Sequence, residues 1–263
     1  MVFFDRVFWL ASLRCLILLR QKLGWMSLIV GGALIPLVLI VARVSFVGPA
    51  KIFWDFSLGI SFLLQIVLAS YLGSHVLDEE RARKTLHVLC AGRMTRVQWV
   101  WGQVLGTWAF ITAMNFIWLL VSAGLSKAIF ADAGSWIHLQ TQIFVAIEVA
   151  IVVGAALLLS MFLRSALAWM SLISVLILLH SVSYLLTILK SQIFQVSGEA
   201  EAYEYLFKAL YFLPPLEWLD LRVFVGYEEF FEWSQFLSIG ALGVAWSLFF
   251  VFIAQRRIER LDF

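Results

Sequence analysis

Histidine and cysteine are the residue types that most often carry metal, redox or nucleophilic chemistry. This 263-residue chain contains four histidines and two cysteines. Cys15 and Cys90 lack the CxxC spacing of a zinc or redox pair. No pair of histidines has a metal-ligand spacing. The chain also has no GxxxxGK[ST] phosphate loop, no HExxH and no GxSxG flanked by a strand and a helix. We therefore predict no catalytic residue, metal site or cofactor site in this chain. The histidines are His75, His87, His138 and His180.

The most distinctive charged segment covers residues 78–89 and reads DEERARKTLHVL. It predicts a short helix that begins with acids and continues with bases, an order that the helix dipole favours. Two interpretations are open: a solvated charged loop, or a docking helix that inserts into a cytoplasmic partner protein. The apolar stripe of such a helix would consist of Leu77, Ala82, Leu86 and Leu89.

A few polar side chains interrupt long apolar stretches. Glu148 is the clearest, and a charge within the hydrocarbon of a membrane is costly and often functional. The alternative is a carboxyl that is neutral or hydrogen-bonded to a neighbouring helix. Asn115, Gln65 and His180 cost less to bury, and hydrogen bonding between helices is the favoured interpretation for them. Glu148 and Asn115 are our candidates for a translocation path.

The elements that must position these residues follow from composition. Hydrophobic residues make up 63% of the chain and charged residues 14%, and the mean hydropathy is +0.96. A soluble domain is about 45–50% apolar and about 25% charged. The chain cannot cover a core with polar surface, which excludes a soluble enzyme, a disordered protein and a basic nucleic-acid binder.

Six long apolar stretches, each able to cross about 30 Å of hydrocarbon as a helix, predict an all-α polytopic membrane protein with six transmembrane helices. A β-barrel would instead show segments of about ten residues with alternating polarity. We find no internal repeat and predict a single membrane domain over residues 1–263. The six stretches are residues 23–42, 56–77, 97–126, 139–163, 165–189 and 233–255.

The distribution of positive charge predicts the orientation. With the N-terminus inside, 13 of the 19 Lys and Arg residues fall on the inner side, so both termini are predicted to be cytoplasmic. Cys15 and Cys90 are then free thiols on the reducing side. The longest outer loop, residues 190–232, is acidic and aromatic and contains Pro214 and Pro215. We predict short helices there, at the outer interface.

Residues 80–106 resemble the signature region of type-2 ABC transporter permeases. That family has the pattern ERxxGTLxxLLxxPxSR, followed by a helix that opens with GKxxG. Lys84, Arg93 and Gln103 differ from it, standing where the family has Gly, Pro and Lys. The turn at residues 158–168 and the basic tail at residues 256–263 also resemble the family, so the resemblance covers most of the chain. The matching residues are Glu80, Arg81, Thr85, Leu86, Val88, Leu89, Thr95, Arg96, Gly102 and Gly106.

The resemblance implies the transmembrane permease subunit of an ATP-driven exporter or flippase, which is not itself an enzyme. Two copies, or two related subunits, would pair with a cytoplasmic ATPase dimer that binds ATP and Mg²⁺. It implies an interfacial helix over residues 1–22 and a coupling segment over residues 78–96 that docks on the ATPase. The expected ATPase-coupling residues are Glu79, Glu80, Arg81, Lys84, Thr85, Leu86 and Leu89.

The expected setting is a bacterial cytoplasmic membrane, with lipid contacts, with the outer loop available to a periplasmic protein, and with no nucleic acid. No residue identifies the substrate. Two alternatives stay open. One is a non-transporting scaffold that links cytoplasmic and periplasmic partners. The other is a gradient-driven secondary transporter, which the lack of repeats and the single clear intramembrane charge disfavour.

Overall fold

The computed structural model describes residues 2–44, 48–83, 94–131, 134, 136–181, 214, 216–220 and 232–260. Over these ranges the regular structure is helical and contains no strand, which confirms the predicted all-α class. The helices are α1 (Val2–Arg20), α2 (Lys22–Val44), α3 (Pro49–Arg83), α4 (Arg96–Phe130), α5 (Trp136–Ser160), α6 (Ser165–His180), the single turn α7 (Leu216–Leu219) and α8 (Trp233–Glu259).

Four helices, α3, α4, α5 and α8, are long and apolar enough to cross a membrane. They contain the second, third and sixth predicted stretches and residues 139–160 of the fourth, and they identify the chain as a multi-pass helical membrane protein. The apolar segments Ile29–Val44 of α2 and Ser165–His180 of α6 are shorter. Residues 182–189 of the fifth stretch and most of the outer loop lie outside the described residues. The count of six spans and the side of each terminus stay predictions.

The coupling segment differs from its prediction. We expected a short helix beginning at Asp78, but α3 continues without a break to Arg83. The acids therefore lie in the last turns of a 35-residue helix, where the dipole favours cations and gives these acids no stabilisation. Residues 84–93, which include Lys84, Thr85, Leu86 and Leu89, lie outside the described residues.

The predicted N-terminal helix is present as α1, and its contact with α4 explains the GxxxG spacing. A Cβ atom added at Gly102 would lie 2.5 Å from the Cβ of Leu10, and one at Gly106 would lie 2.6 Å from the carbonyl oxygen of Ala11. Both distances are far shorter than a normal contact. The two glycines therefore let α1 lie directly against the backbone of α4.

A Gly106→Ala substitution is expected to destabilise this contact by about 1–3 kcal/mol, the usual cost of overpacking. Gly124→Ala, on the same helix, is the matched control because a Cβ there meets nothing within 4 Å. The measurement is the thermal unfolding midpoint of the purified full chain in detergent. Only Gly106→Ala should lower it, since alanine favours a helix where space allows. Equal midpoints for the two variants would contradict the close α1–α4 contact.

The start of α4, the end of α8 and the turn after α5 lie together at one end of the helix bundle. Arg96 Nη1 donates to the carbonyl oxygens of Ile258 at 3.1 Å and Glu259 at 3.4 Å, and so satisfies two of the last carbonyl groups of α8. The guanidinium of Arg257 lies 4.8 Å from the centre of the Phe162 ring. These are segments that the charge pattern predicts on the same side of the membrane.

Thr95 begins α4 with a capping box. Its side chain accepts a hydrogen bond from the backbone N–H of Gln98 at 3.2 Å, and its own backbone N–H donates to Gln98 Oε1 at 3.0 Å. The Thr95–Arg96 step therefore fixes where α4 begins and holds the end of α8 beside it.

Candidate functional site

Three helices meet where α3 ends, in a polar cluster that we call the coupling junction: Arg14 of α1, Glu79 and Glu80 of α3, and Gln103 and Thr107 of α4. Arg14 Nη1 lies 2.6 Å from Glu79 Oε2, and Arg14 Nε donates to Thr107 Oγ1 at 3.4 Å. The Arg14 side chain is 3% exposed and that of Glu79 25%. A charge buried this deeply requires a partner, because burial removes its hydration.

The sequence does not predict the burial of Arg14. By charge alone Arg14 is one of the inner positive residues, and the arginines of the N-terminal segment share no single face. The available signal was its register in α1, where it falls on the buried stripe formed by Val7, Leu10 and Leu18. An arginine inside an apolar helical stripe indicates a buried ionic partner.

The second acid of the junction connects α3 to α4. Gln103 Nε2 donates to Glu80 Oε1 at 3.1 Å, and Gln103 is buried. Glu79 and Glu80 therefore bind the helices beside them.

Arg81 differs from these two acids because its side chain is half exposed. It lies 3.7 Å from Asp78, one helical turn earlier, in a pair that is exposed at both ends. Such pairs contribute little to stability because water screens them. Of the predicted coupling residues that the structure describes, Arg81 is the one whose side chain extends towards solvent.

A second polar cluster lies between α3, α4 and α5. Gln65 Nε2 donates to Asn115 Oδ1 at 2.5 Å and to Ser61 Oγ at 2.7 Å, and Asn115 Nδ2 donates to the carbonyl oxygen of Gln142 at 3.2 Å. Asn115 is fully buried. The contacts confirm the predicted hydrogen bonding between helices for Asn115 and Gln65. A role of Asn115 in a translocation path stays a prediction.

Glu148, the other candidate for the translocation path, is paired with a histidine of the next helix. His180 Nε2 lies 3.0 Å from Glu148 Oε1, and the two side chains are 18% and 0% exposed. The ring of Phe62 from α3 packs edge-on against the imidazole at 5.4 Å. His180 therefore makes its predicted interhelical contact with Glu148, the clearest charge within an apolar stretch. Its pairing with Glu148 was not predicted.

Within the described ranges, no group of three or more His, Cys, Asp or Glu side chains is arranged to hold a metal ion. Neither models of known protein families nor the curated proteins give a match to this chain.

Proposed function

We propose that this chain is the transmembrane permease subunit of an ATP-driven ABC exporter or flippase in a bacterial cytoplasmic membrane. A separate cytoplasmic ATPase would hydrolyse ATP, and this chain would convert that event into substrate movement. One observation carries the proposal. Two acids of the predicted coupling segment, Glu79 and Glu80, are bonded to α1 and α4 respectively.

These contacts suit the transmission of force. An ATPase that displaces residues 84–93 would act on the end of α3, which is about 50 Å long at 1.5 Å per residue. The Arg14–Glu79 pair would move α1 with it, and the Glu80–Gln103 bond would move α4. The chain would thus have two conformations, and ATP binding in the partner would bias them.

The same proposal defines the assembly. A second copy or a related permease subunit completes the transmembrane part, and ATP and Mg²⁺ bind to the ATPase dimer. Lipid covers the remaining apolar faces, and the outer loop is available to a periplasmic protein. Both termini and the coupling segment are assigned to the cytoplasmic side from the distribution of Lys and Arg.

The test is purification of the full chain from its native membrane in mild detergent. We expect an ABC ATPase to elute with it at equal stoichiometry and to be stimulated by it. Replacing Glu80 and Arg81 by glutamine should reduce that stimulation about fivefold or more, the lower range of coupling between two sites. The reason is that both residues belong to the predicted ATPase contact and that Glu80 also bonds Gln103 of α4.

The matched control replaces Asp5 and Arg6, an adjacent acid and base that lie about two helical turns before Arg14 in α1, by asparagine and glutamine. It changes charge in the same way and should leave the stimulation unchanged. Full stimulation of the ATPase by the Glu80/Arg81 variant would contradict the coupling role of these residues. Absence of any ATPase from the purified chain would contradict the proposed function.

A second candidate function has one observation in its favour. The Glu148–His180 pair places two ionisable groups side by side between apolar helices, as proton-driven secondary transporters do. A scaffold without transport activity remains the third candidate. A chain that purifies without an ATPase and still moves solute in response to a proton gradient would favour the transporter over both others.

A further inference from the structure

Helix α1 runs beside α4 in the same direction and advances with it residue by residue. A Cβ atom added at Gly102 would lie 2.5 Å from the Cβ of Leu10, and one added at Gly106 would lie 2.7 Å from the Cβ of Arg14. Each step of four residues along α1 is therefore matched by a step of four along α4, which requires nearly parallel axes. Because α4 is long and apolar enough to cross a membrane, α1 stands upright beside it.

The exposed surface of α1 has no side that is suited to water. Over residues 7–19 every exposed side chain except that of Ser12 is apolar, and Arg14, the one charged residue of this range, is buried. A helix that lies flat on a membrane instead turns a charged face to water. Over this range α1 therefore contacts the bundle on one side and hydrocarbon on the others. Its exposed apolar residues are Phe8, Trp9, Leu13, Leu16 and Leu19.

The break between α1 and α2 consequently lies deep in the bundle. Gly31 of α2 packs against the ring of Trp118, twelve residues beyond Gly106 in α4. The break falls between the levels of these two α4 residues, about 15 and 33 Å from the start of that helix at 1.5 Å per residue. At the shared rate of advance Arg20 lies level with residue 112, the middle of the charge-free stretch 97–126.

Two cations flank this break, and both are exposed. Arg20 is the last residue of α1 and Lys22 is the first residue of α2. Neither forms an ion pair within the part of the chain that the structure describes. At mid-depth the headgroups are roughly 15 Å away, farther than either side chain extends. A cation at this depth is costly in hydrocarbon, and such cations in membrane proteins face water-filled cavities.

We propose that α1 crosses one leaflet upright beside α4 and that Arg20 and Lys22 line a water-filled binding site for an anionic group at mid-depth of the membrane. Arg and Lys side chains that line a membrane path select anions and phosphates. The anionic group is then the class of cargo that the proposed permease moves, and this last step rests on the proposed function. The other inner Lys and Arg residues still outnumber the outer ones, so the predicted orientation is unchanged.

The first test measures depth by spin labelling of the full chain in lipid nanodiscs, with Cys15→Ser and Cys90→Ser removing the native thiols. Phe8 and Leu19 are exposed and lie on the same face of α1, since eleven residues make about three turns. Phe8→Cys and Leu19→Cys carry the label, and its collisions with oxygen and with a nickel chelate give its depth. We expect the label at position 19 to lie about 16 Å deeper, whereas a flat helix gives equal depths.

The second test measures how fast Arg20→Cys reacts with an anionic sulfonate-bearing and a cationic trimethylammonium-bearing thiosulfonate, each rate being taken relative to that of a free thiol. Both reagents react in water and not in hydrocarbon. Val244→Cys, at an exposed position near the middle of α8, is the lipid-facing control and should not react. Because Lys22 remains beside the new thiol, the anionic reagent should react about tenfold faster or more. Lys22→Gln should remove that preference.

Two additions to neutral phosphatidylcholine nanodiscs identify the source of the anion. Slowing of the sulfonate reaction by inorganic phosphate indicates a dissolved anion, and slowing by phosphatidylglycerol indicates a lipid headgroup; neither effect should occur with Lys22→Gln. The site is overturned by slowing with neither, by the absence of a charge preference, by an unreactive Arg20→Cys, or by equal depths at Phe8 and Leu19. None of these measurements needs an ATPase, so a missing ATPase contradicts only the proposed function, and a failed site leaves that function intact.

Discussion

Replacing Glu79 alone by leucine is expected to lower the free energy of unfolding by about 3 kcal/mol, because it leaves Arg14 buried without its ionic partner. We take the lower end of the usual range since Glu79 is itself one-quarter exposed. Combining it with Arg14→Met should recover most of the loss. An apolar pair of similar volume often replaces a buried ion pair at little or no cost.

The measurement is unfolding of the full chain in mixed micelles by increasing SDS, followed by helical circular dichroism. The control is the exposed pair, with Asp78→Asn and Arg81→Gln, which should change stability by less than about 1 kcal/mol. If the two single substitutions and the double substitution at Arg14 and Glu79 show simple additivity, the pair does not hold α1 against α3.

The apolar helices could be predicted from the sequence because long apolar stretches have few solutions in a membrane. Backbone groups within hydrocarbon must bond internally, so a continuous stretch such as residues 97–126 forms a helix. The helical end of α3 was harder to predict. Residues 78–83 are polar, which indicates a new element. They contain neither Gly nor Pro, and Glu, Ala and Arg are strong helix formers, so the existing helix continues.

The candidate sites could be predicted only by residue type. The sequence shows that Arg14 and Glu79 are charged, but their pairing joins positions 65 residues apart and depends on how α1 crosses α4. The GxxxG spacing of Gly102 and Gly106 indicates a close helix contact without indicating the partner helix. Glu148 was found because it interrupts an apolar stretch. Its link to His180 depends on how α6 packs against α5.

Asn115 offers the second large effect, through the hydrogen bonds it makes to two neighbouring helices. Asn115→Leu is expected to destabilise the chain by about 1–3 kcal/mol, since interhelical hydrogen bonds in membranes contribute about 0.6–1.7 kcal/mol each and the amide nitrogen of Gln65 would lose one of its two acceptors. Adding Gln65→Leu should restore part of the loss, because an apolar pair leaves no unsatisfied amide behind.

The same SDS titration measures the stability of the two single variants and the double variant at Asn115 and Gln65. Gln235→Leu is the control because it makes the same substitution as Gln65→Leu at an exposed position near the start of α8. A double variant that is more stable than the sum of its singles would establish that Asn115 and Gln65 act together in packing. If the losses simply add, the Gln65–Asn115 contact is not what keeps Asn115 buried. The bond from Asn115 Nδ2 to the carbonyl oxygen of Gln142 would then be the interhelical contact that accounts for the burial of Asn115.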